Sequence, residues 1–260
     1  MPEEQDNVYA RFWDHYVDSD WEQVRAERGD VEWPGDEWGG PKLWEGIFNR
    51  LFLPAGVASW RRAVEIGPGS GKYALKVLAA APEVQVRAYD VSQRFLEVCA
   101  ERCASEIARE RLSLQLLDVA APDHMLSDLS TRGWRREVDG FYSIDVMVHV
   151  DLQYLIAYLL TAALALKPGG KLVLTAANAT SGLGFSNLMR GIKTYWQAQA
   201  DPIGSSKMEW VDRSMMESIL PRLGFELELL HDPQKRWWLE LVASLERPEV
   251  ADELGQYLCD

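Results

Sequence analysis

A histidine stands between two carboxylates in the stretch Asp145-Val146-Met147-Val148-His149-Val150-Asp151. If Asp145 to His149 form one helical turn, their side chains share a face and can hydrogen-bond. A carboxylate so placed orients an imidazole and raises its pKa, which makes His149 a candidate general base supported by Asp145. The ordinary alternative is a histidine that packs or caps a helix. A second chemical stretch lies upstream, Glu65-Ile66-Gly67-Pro68-Gly69-Ser70-Gly71-Lys72. Glycines at alternate positions after an apolar, β-branched run let the backbone turn sharply and let a ligand approach it closely. A helix starting at Lys72 would turn unpaired N–H groups toward a polar or anionic group. The spacing is not G-x-G-x-x-G, and no Ser or Thr follows Lys72 as a P-loop requires.

Alternating strands and helices must carry these residues. The first predicted strand is Ala63–Ile66, with its helix over Lys72–Ala80. The second strand, Val84–Tyr89, ends at Asp90, where a carboxylate can take two hydrogen bonds from ribose hydroxyls. Asp90 could instead cap the next helix, a task Ser92 could share. That helix is predicted over Gln93–Glu110, and the third strand, Leu112–Leu117, ends at Asp118. Alone, Asp118 reads as a turn residue. Residues 120–137 read as loop and short helix, with His124 on the surface. The fourth strand, Gly140–Ile144, leads into the Asp145–His149 stretch. A helix over Leu152–Leu166, a turn at Lys167-Pro168-Gly169-Gly170 and a fifth strand, Lys171–Thr175, follow. Further on, Asp212–Leu223 reads as a helix, and Phe225–Leu230 and Arg236–Leu245 as strands six and seven.

From Ala63 to Leu245 the chain resembles a class I S-adenosylmethionine (SAM) dependent methyltransferase. Four ordered places carry the resemblance: Glu65 to Gly71, Asp90, Asp118, and the Lys167 to Gly170 turn. It implies an α/β fold, a Rossmann-like doubly wound sheet of seven strands in the order 3-2-1-4-5-7-6 with strand 7 antiparallel. It implies SAM as cofactor and S-adenosylhomocysteine as product. The cofactor contacts it implies are Glu65, Gly67, Pro68, Gly69, Gly71, Asp90, Val91, Asp118, Val119 and Ser143. Asp118 would accept the adenine amino group, with the Val119 N–H on a ring nitrogen, and Glu65 would serve the methionine end or hold the glycine turn. The Gly35–Gly39 segment resembles an aromatic-rich leader seen in some bacterial methyltransferases of glycans and secondary metabolites.

Residues 1–60 read as an N-terminal helical cap or lid, 61–246 as the core, and 247–260 as a tail. Six of the eleven tryptophans fall in the cap, which marks a packed satellite cluster or a substrate lid. Helices are expected over Val8–Arg28 and Lys42–Phe52, joined by a loop from Gly29 to Pro41. Trp38 and Trp44 flank that loop and are candidates for ligand contact. The insert 176–211 should lie over the cofactor and add Asn178, Tyr195 and Trp196 to the acceptor pocket, with a helix over Ser186–Ala200.

The expected function is methyl transfer to a small molecule, to a hydroxyl oxygen of a sugar or metabolite; N- or S-methylation of a small molecule or protein is the alternative. An NAD(P)-dependent oxidoreductase is disfavoured by the glycine spacing, by Asp118 and by the lack of a Tyr-x-x-x-Lys pair near the fifth strand. Intact glycines and strand-end acids argue against a relative that has lost its cofactor. Asp145 and Asn178 could offer oxygen ligands to Mg²⁺, but no adjacent acidic pair completes a set, and no metal is expected. The net charge of −13 argues against a nucleic-acid partner. Residues 1–60 hold thirteen acidic and five basic residues, hence −8 of that charge. Cys99, Cys103 and Cys259 form no metal or redox motif and read as small apolar residues. No secretory signal or bilayer-length apolar run is evident, so a cytoplasmic protein is expected, with no membrane partner.

Overall fold

The computed structural model describes residues 8–118, 121, 123–200, 208–232 and 236–259. Eight strands form one sheet: β1 (Arg62–Ile66), β2 (Gln85–Asp90), β3 (Leu112–Leu116), β4 (Val138–Ser143), β5 (Leu166–Asn178), β6 (Trp210–Val211), β7 (Phe225–His231) and β8 (Trp238–Leu245). The order is β3-β2-β1-β4-β5-β8-β7. The first five strands run parallel, and β8 is antiparallel to both β5 and β7. The short β6, which the sequence does not announce, pairs in parallel with Ala177 and Asn178 of β5. Apart from β6, this is the strand order that the resemblance implies.

The helices are α1 (Val8–His15), α2 (Trp21–Arg28), α3 (Pro41–Leu51), α4 (Lys72–Ala80), α5 (Gln93–Arg102), α6 (Ala104–Ala108), α7 (His124–Thr131), α8 (Leu152–Ala165), α9 (Gly182–Ala200), α10 (Arg213–Arg222), α11 (Pro248–Leu254) and α12 (Gln256–Cys259). They bury two apolar clusters, one on each face of the sheet, as expected of a sheet covered on both sides. One face packs Leu155, Leu159 and Leu164 of α8 against Val64, Phe141, Leu172 and Leu241. The other packs Phe48 and Leu51 of α3 and Val77 of α4 against Ala63, Tyr142, Val173 and Val242. Residues of the C-terminal tail join the first cluster through Ala251 and Leu258. Among the described residues, no helix is long and apolar enough to cross a membrane.

Several boundaries differ from the sequence expectation, each for a local reason. The first helix is interrupted by a π-helical turn, Tyr16–Asp20, which buries Tyr16. The helix expected over Gln93–Glu110 breaks at Cys103 (φ −103°, ψ 17°) into α5 and α6. The α9 helix starts earlier than Ser186, because the Ser181 hydroxyl accepts the Gly184 N–H at 2.9 Å. The turn Lys167–Gly170 lies within β5 as a bulge: Leu166 pairs with Val138 and Lys171 with Gly140, so four residues face one.

That one residue is Asp139. Its Oδ2 accepts the Arg61 and Arg62 N–H groups at 2.7 and 2.9 Å, and its Oδ1 pairs with the bulge residue Lys167. Burial pushes the Asp139 carboxyl upward, but Lys167 and the two amides outweigh it and hold the pKa below the ordinary range. Asp139 thereby ties the entry of β1 to β4 and β5. Asp139→Ala is expected to cost about 1–3 kcal/mol, since it orphans two amides. Urea unfolding near neutral pH reads this. With the folded pKa depressed, the wild-type advantage is present above the unfolded pKa and fades as pH falls through the folded one.

Candidate active site

The site is built on the turn between β1 and α4. Gly67 donates its N–H to Tyr89 O at 2.8 Å, and Gly71 closes the turn onto Pro68 O at 2.8 Å. Gly67 sits at φ +66°, and a Cβ there would lie 2.3 Å from Val146 Cγ2. Gly71 sits at φ +84°, and a Cβ there would lie 2.4 Å from Cys103 Sγ and 3.0 Å from Cys99 Sγ. The two buried thiols are thus the packing surface behind the turn, and the helix break at Cys103 brings its sulfur there.

Two buried carboxylates stand at the strand ends beside this turn. Glu65 is 3% exposed and accepts a hydrogen bond from the Tyr142 hydroxyl at 3.1 Å; burial pushes its pKa up to about 8. Asp90 accepts the Gly69 N–H at 3.3 Å and the Ser92 N–H at 3.0 Å, and burial outweighs these bonds and pushes its pKa up to about 6. Asp90 does not cap α5: the Ser92 hydroxyl does, accepting the Phe95 N–H at 3.0 Å.

Above the turn a cleft of about 1070 Å³, its open mouth included, is walled by Glu65, Gly67, Pro68, Gly69, Asp90 and Val91 on one side. Asp145, Val146 and His149 wall it from the end of β4, and Tyr154 and Tyr158 from α8. Segment 145–150 is a turn rather than a helix: His149 N–H bonds to Val146 O at 2.9 Å, and Asp145 has φ +64°. The one-turn spacing that would join Asp145 to His149 is therefore not helical. A non-glycine residue in the left-handed region is strained and needs support. Here the Asp145 N–H is held by Thr175 Oγ1 of β5 at 2.8 Å. Burial pushes the Asp145 pKa up to about 6, against the pull of Lys72.

The N-terminal segment covers the mouth with aromatic rings. Trp13 stands edge-on to His149, with ring centroids 5.1 Å apart, and touches Trp38 at 5.7 Å. Tyr16 stacks on Phe95 at 6.1 Å. Polar bonds fasten this cover: Ser92 Oγ donates to Asp14 at 2.6 Å, and Tyr16 OH donates to Glu37. Lys72 reaches up from the start of α4 to Gly35 O at 2.8 Å and Asp36 at 3.3 Å, its ammonium 3.9 Å above the Trp44 ring. Burial lowers the Lys72 pKa, with Asp36 and Asp145 opposing. Arg102 adds a second cation on Asp36 at 3.2 Å.

The sequence candidates divide by position. Trp38, Trp44, Asp145 and His149 all reach the cleft wall. Asp118 is exposed at the end of β3, where Leu117 lines the cleft. The Asp118 N–H bonds to His124 Nδ1 at 3.0 Å, so His124 shapes that strand end. Ser143 donates to Ile66 O at 3.1 Å and lies behind the wall. Asn178 is fully buried, donating to Asp232 at 2.6 Å and accepting from Thr180 at 3.0 and 2.9 Å. It is not part of the cleft wall that Asp145 lines. Val119 lies outside the described residues, as do the side chains of Tyr195 and Trp196. Sequence reasoning passed over Trp13, Phe95, Tyr154 and Tyr158 in the wall. The i, i+4 tyrosines at the start of α8, just past the end of β4, were the available signal.

The raised Asp145 pKa sets a pH dependence. Asp145 contributes stability that is intact below about pH 4 and lost as pH rises through about 6. Asp145→Asn is expected to be more stable than wild type near neutral pH by on the order of 2 kcal/mol. It should also flatten the decline across that window. Chemical denaturation of both proteins across this range checks it, and identical profiles would contradict a buried ionising Asp145.

Comparisons with known proteins match one domain and one fold. A model described as a methyltransferase domain matches residues 64–172. No curated protein matches the sequence. The structure is similar to magnesium protoporphyrin IX methyltransferase from Synechocystis PCC 6803 with bound SAH, at TM-score 0.62 and 15% identity, covering 92% of this chain and 99% of that one. It is also similar to N,N-8-amino-8-demethyl-D-riboflavin dimethyltransferase from Streptomyces davawensis, at TM-score 0.59 and 16% identity, covering 90% and 61%. An O-methyltransferase family protein from Burkholderia thailandensis aligns at TM-score 0.56 and 11% identity, covering 95% and 74%. Residues 64–172 thus match a methyltransferase domain, and they lie in a sheet with the strand order that the class I resemblance implies.

Proposed function

We propose that the protein transfers the methyl group of SAM to a small-molecule acceptor, at a hydroxyl oxygen of a sugar or metabolite. The observation that supports this is the convergence of Asp145 and His149 on the cleft that holds the glycine turn. The residues fit the cofactor. Buried carboxylates at Glu65 and Asp90, both pushed toward neutrality by burial, suit a ligand that brings a diol and positive charge. SAM supplies an electrophilic methyl carbon on a sulfonium. Asp90 would accept ribose hydroxyls, and Glu65 and the glycine turn would hold the methionine end.

What remains for the chain is to align the acceptor and take its proton. An acidic group with a pKa near neutrality is suited to that task, and Asp145 has one at about 6. His149, fixed edge-on by Trp13, is the second group within the same wall. The aromatic rings of Trp13, Trp38 and Phe95 in the cleft wall favour a ring-shaped partner.

The test uses isotope-labelled methyl SAM, a panel of hydroxylated small molecules and mass spectrometry of the products. Label is expected on oxygen; label only on nitrogen or sulfur would overturn the acceptor assignment. With the acceptor in hand, His149→Gln should lower turnover by about 10²–10⁴-fold while sparing SAM affinity. Asp90→Ala should weaken SAM binding by calorimetry about tenfold or more. Unchanged SAM affinity in that variant would contradict the ribose role.

A further inference from the structure

A second polar cluster stands one strand away from Asp145. Glu240 of β8 is fully buried, and two guanidinium groups converge on it. Arg50, in the last turn of α3, forks onto it with Nε at 2.7 Å and Nη2 at 2.6 Å. Arg236, just before β8, reaches Oε1 at 2.7 Å, and the Trp238 indole donates to the same oxygen at 3.1 Å. His231 Nδ1 lies 4.0 Å from Oε2. The Glu240 carboxylate accepts from two permanent cations at once. Asp232, next along the chain from His231, bonds to Asn178.

Glu240 takes only part of each guanidinium: Nε and Nη2 of Arg50, and Nη1 of Arg236. Each arginine side chain is 30% exposed, while the carboxylate between them is buried. Arg236 lies against the Trp238 ring at 5.2 Å, and its carbonyl is held by Ser181 at 2.6 Å. Arg50 folds back along α3 into the room left at Gly46, where a Cβ would lie 2.9 Å from Nη1. The cluster lies outside the cleft lining and connects to it through β5. Glu240 pairs across the sheet with Thr175, the residue that holds Asp145. Tyr73, in the cleft wall, lies in the field of Asp145, Glu240 and Arg50 together.

We infer that Arg50 and Arg236 form an oxyanion subsite beside the cleft, and that the methyl acceptor is an acidic small molecule whose carboxylate or phosphate docks there. Planar guanidinium forks preset by a buried carboxylate match both groups. The subsite stands on its own geometry; its use for the acceptor rests on the methyl-transfer reading.

The full-length protein is titrated with malonate and with inorganic phosphate, each against sodium chloride of equal ionic strength, by calorimetry and thermal shift. S-adenosylhomocysteine binding is measured separately. Saturable binding of either anion is expected, weakened at least tenfold in Arg236→Gln and partly in Arg50→Lys, with S-adenosylhomocysteine affinity unchanged. Malonate alone would point to carboxylate acceptors and phosphate alone to phosphorylated ones. No saturable response in the wild type, or an equal response in a folded Arg236→Gln, overturns the subsite. Loss of anion binding with S-adenosylhomocysteine still bound removes only the subsite. Failure of S-adenosylhomocysteine to bind while the anion does removes the methyl-transfer reading instead.

Discussion

The absence of side chains at Gly67 and Gly71 is the constraint that sets the site. Val146 occupies the space a Cβ would need at Gly67, and Cys103 and Cys99 occupy it at Gly71. Close packing leaves no slack for either contact. The segment after β4 is therefore drawn onto the turn from one side and α5 from the other. This brings Asp145 and His149 to one flank of the cleft and Asp90, next to α5, to the opposite one. The left-handed backbone at Asp145 belongs to the same arrangement: the chain leaves β4, meets Thr175 of β5 and bends back over Gly67.

The cleft's charges follow from that crowding. Glu65, Asp90 and Asp145 are gathered where water is scarce, and each is held above its ordinary pKa by burial. The cation that acts on Asp145, Lys72, is engaged by the covering segment through Gly35 and Asp36. The cover thus fastens itself by the same residue that starts the helix behind the glycine turn. Its aromatic rings exclude water, which strengthens every remaining electrostatic interaction inside.

The first four strands were legible because each is a short run ending at or just before a chemically distinct residue: Gly67, Asp90, Asp118, Asp145. Strand order came from the resemblance those residues carry, not from periodicity. What the pattern hid were matters of side-chain direction and long-range pairing. Ser143 and Asn178 sit at strand ends but point into backbone and loop bonds. The π-helical turn at Tyr16 and the break at Cys103 leave apolar spacing nearly intact, so periodicity passes over them. A two-residue strand such as β6 has no period to detect. Arg50 and Glu240 are 190 positions apart, and neither has a neighbour in sequence that hints at the other.

That last separation bears on how the chain reaches its final shape. The strand β8 is inserted between β5 and β7, and its Glu240 is the anchor for a helix far upstream in the chain. Until β8 arrives, one edge of β5 has no partner along most of its length, and Arg50 has no counter-ion. Contacts this distant in sequence carry the largest loop-closure cost, and they form late. Phe48 and Leu51 of α3, made well before β8, then wait incompletely packed until that strand is in place.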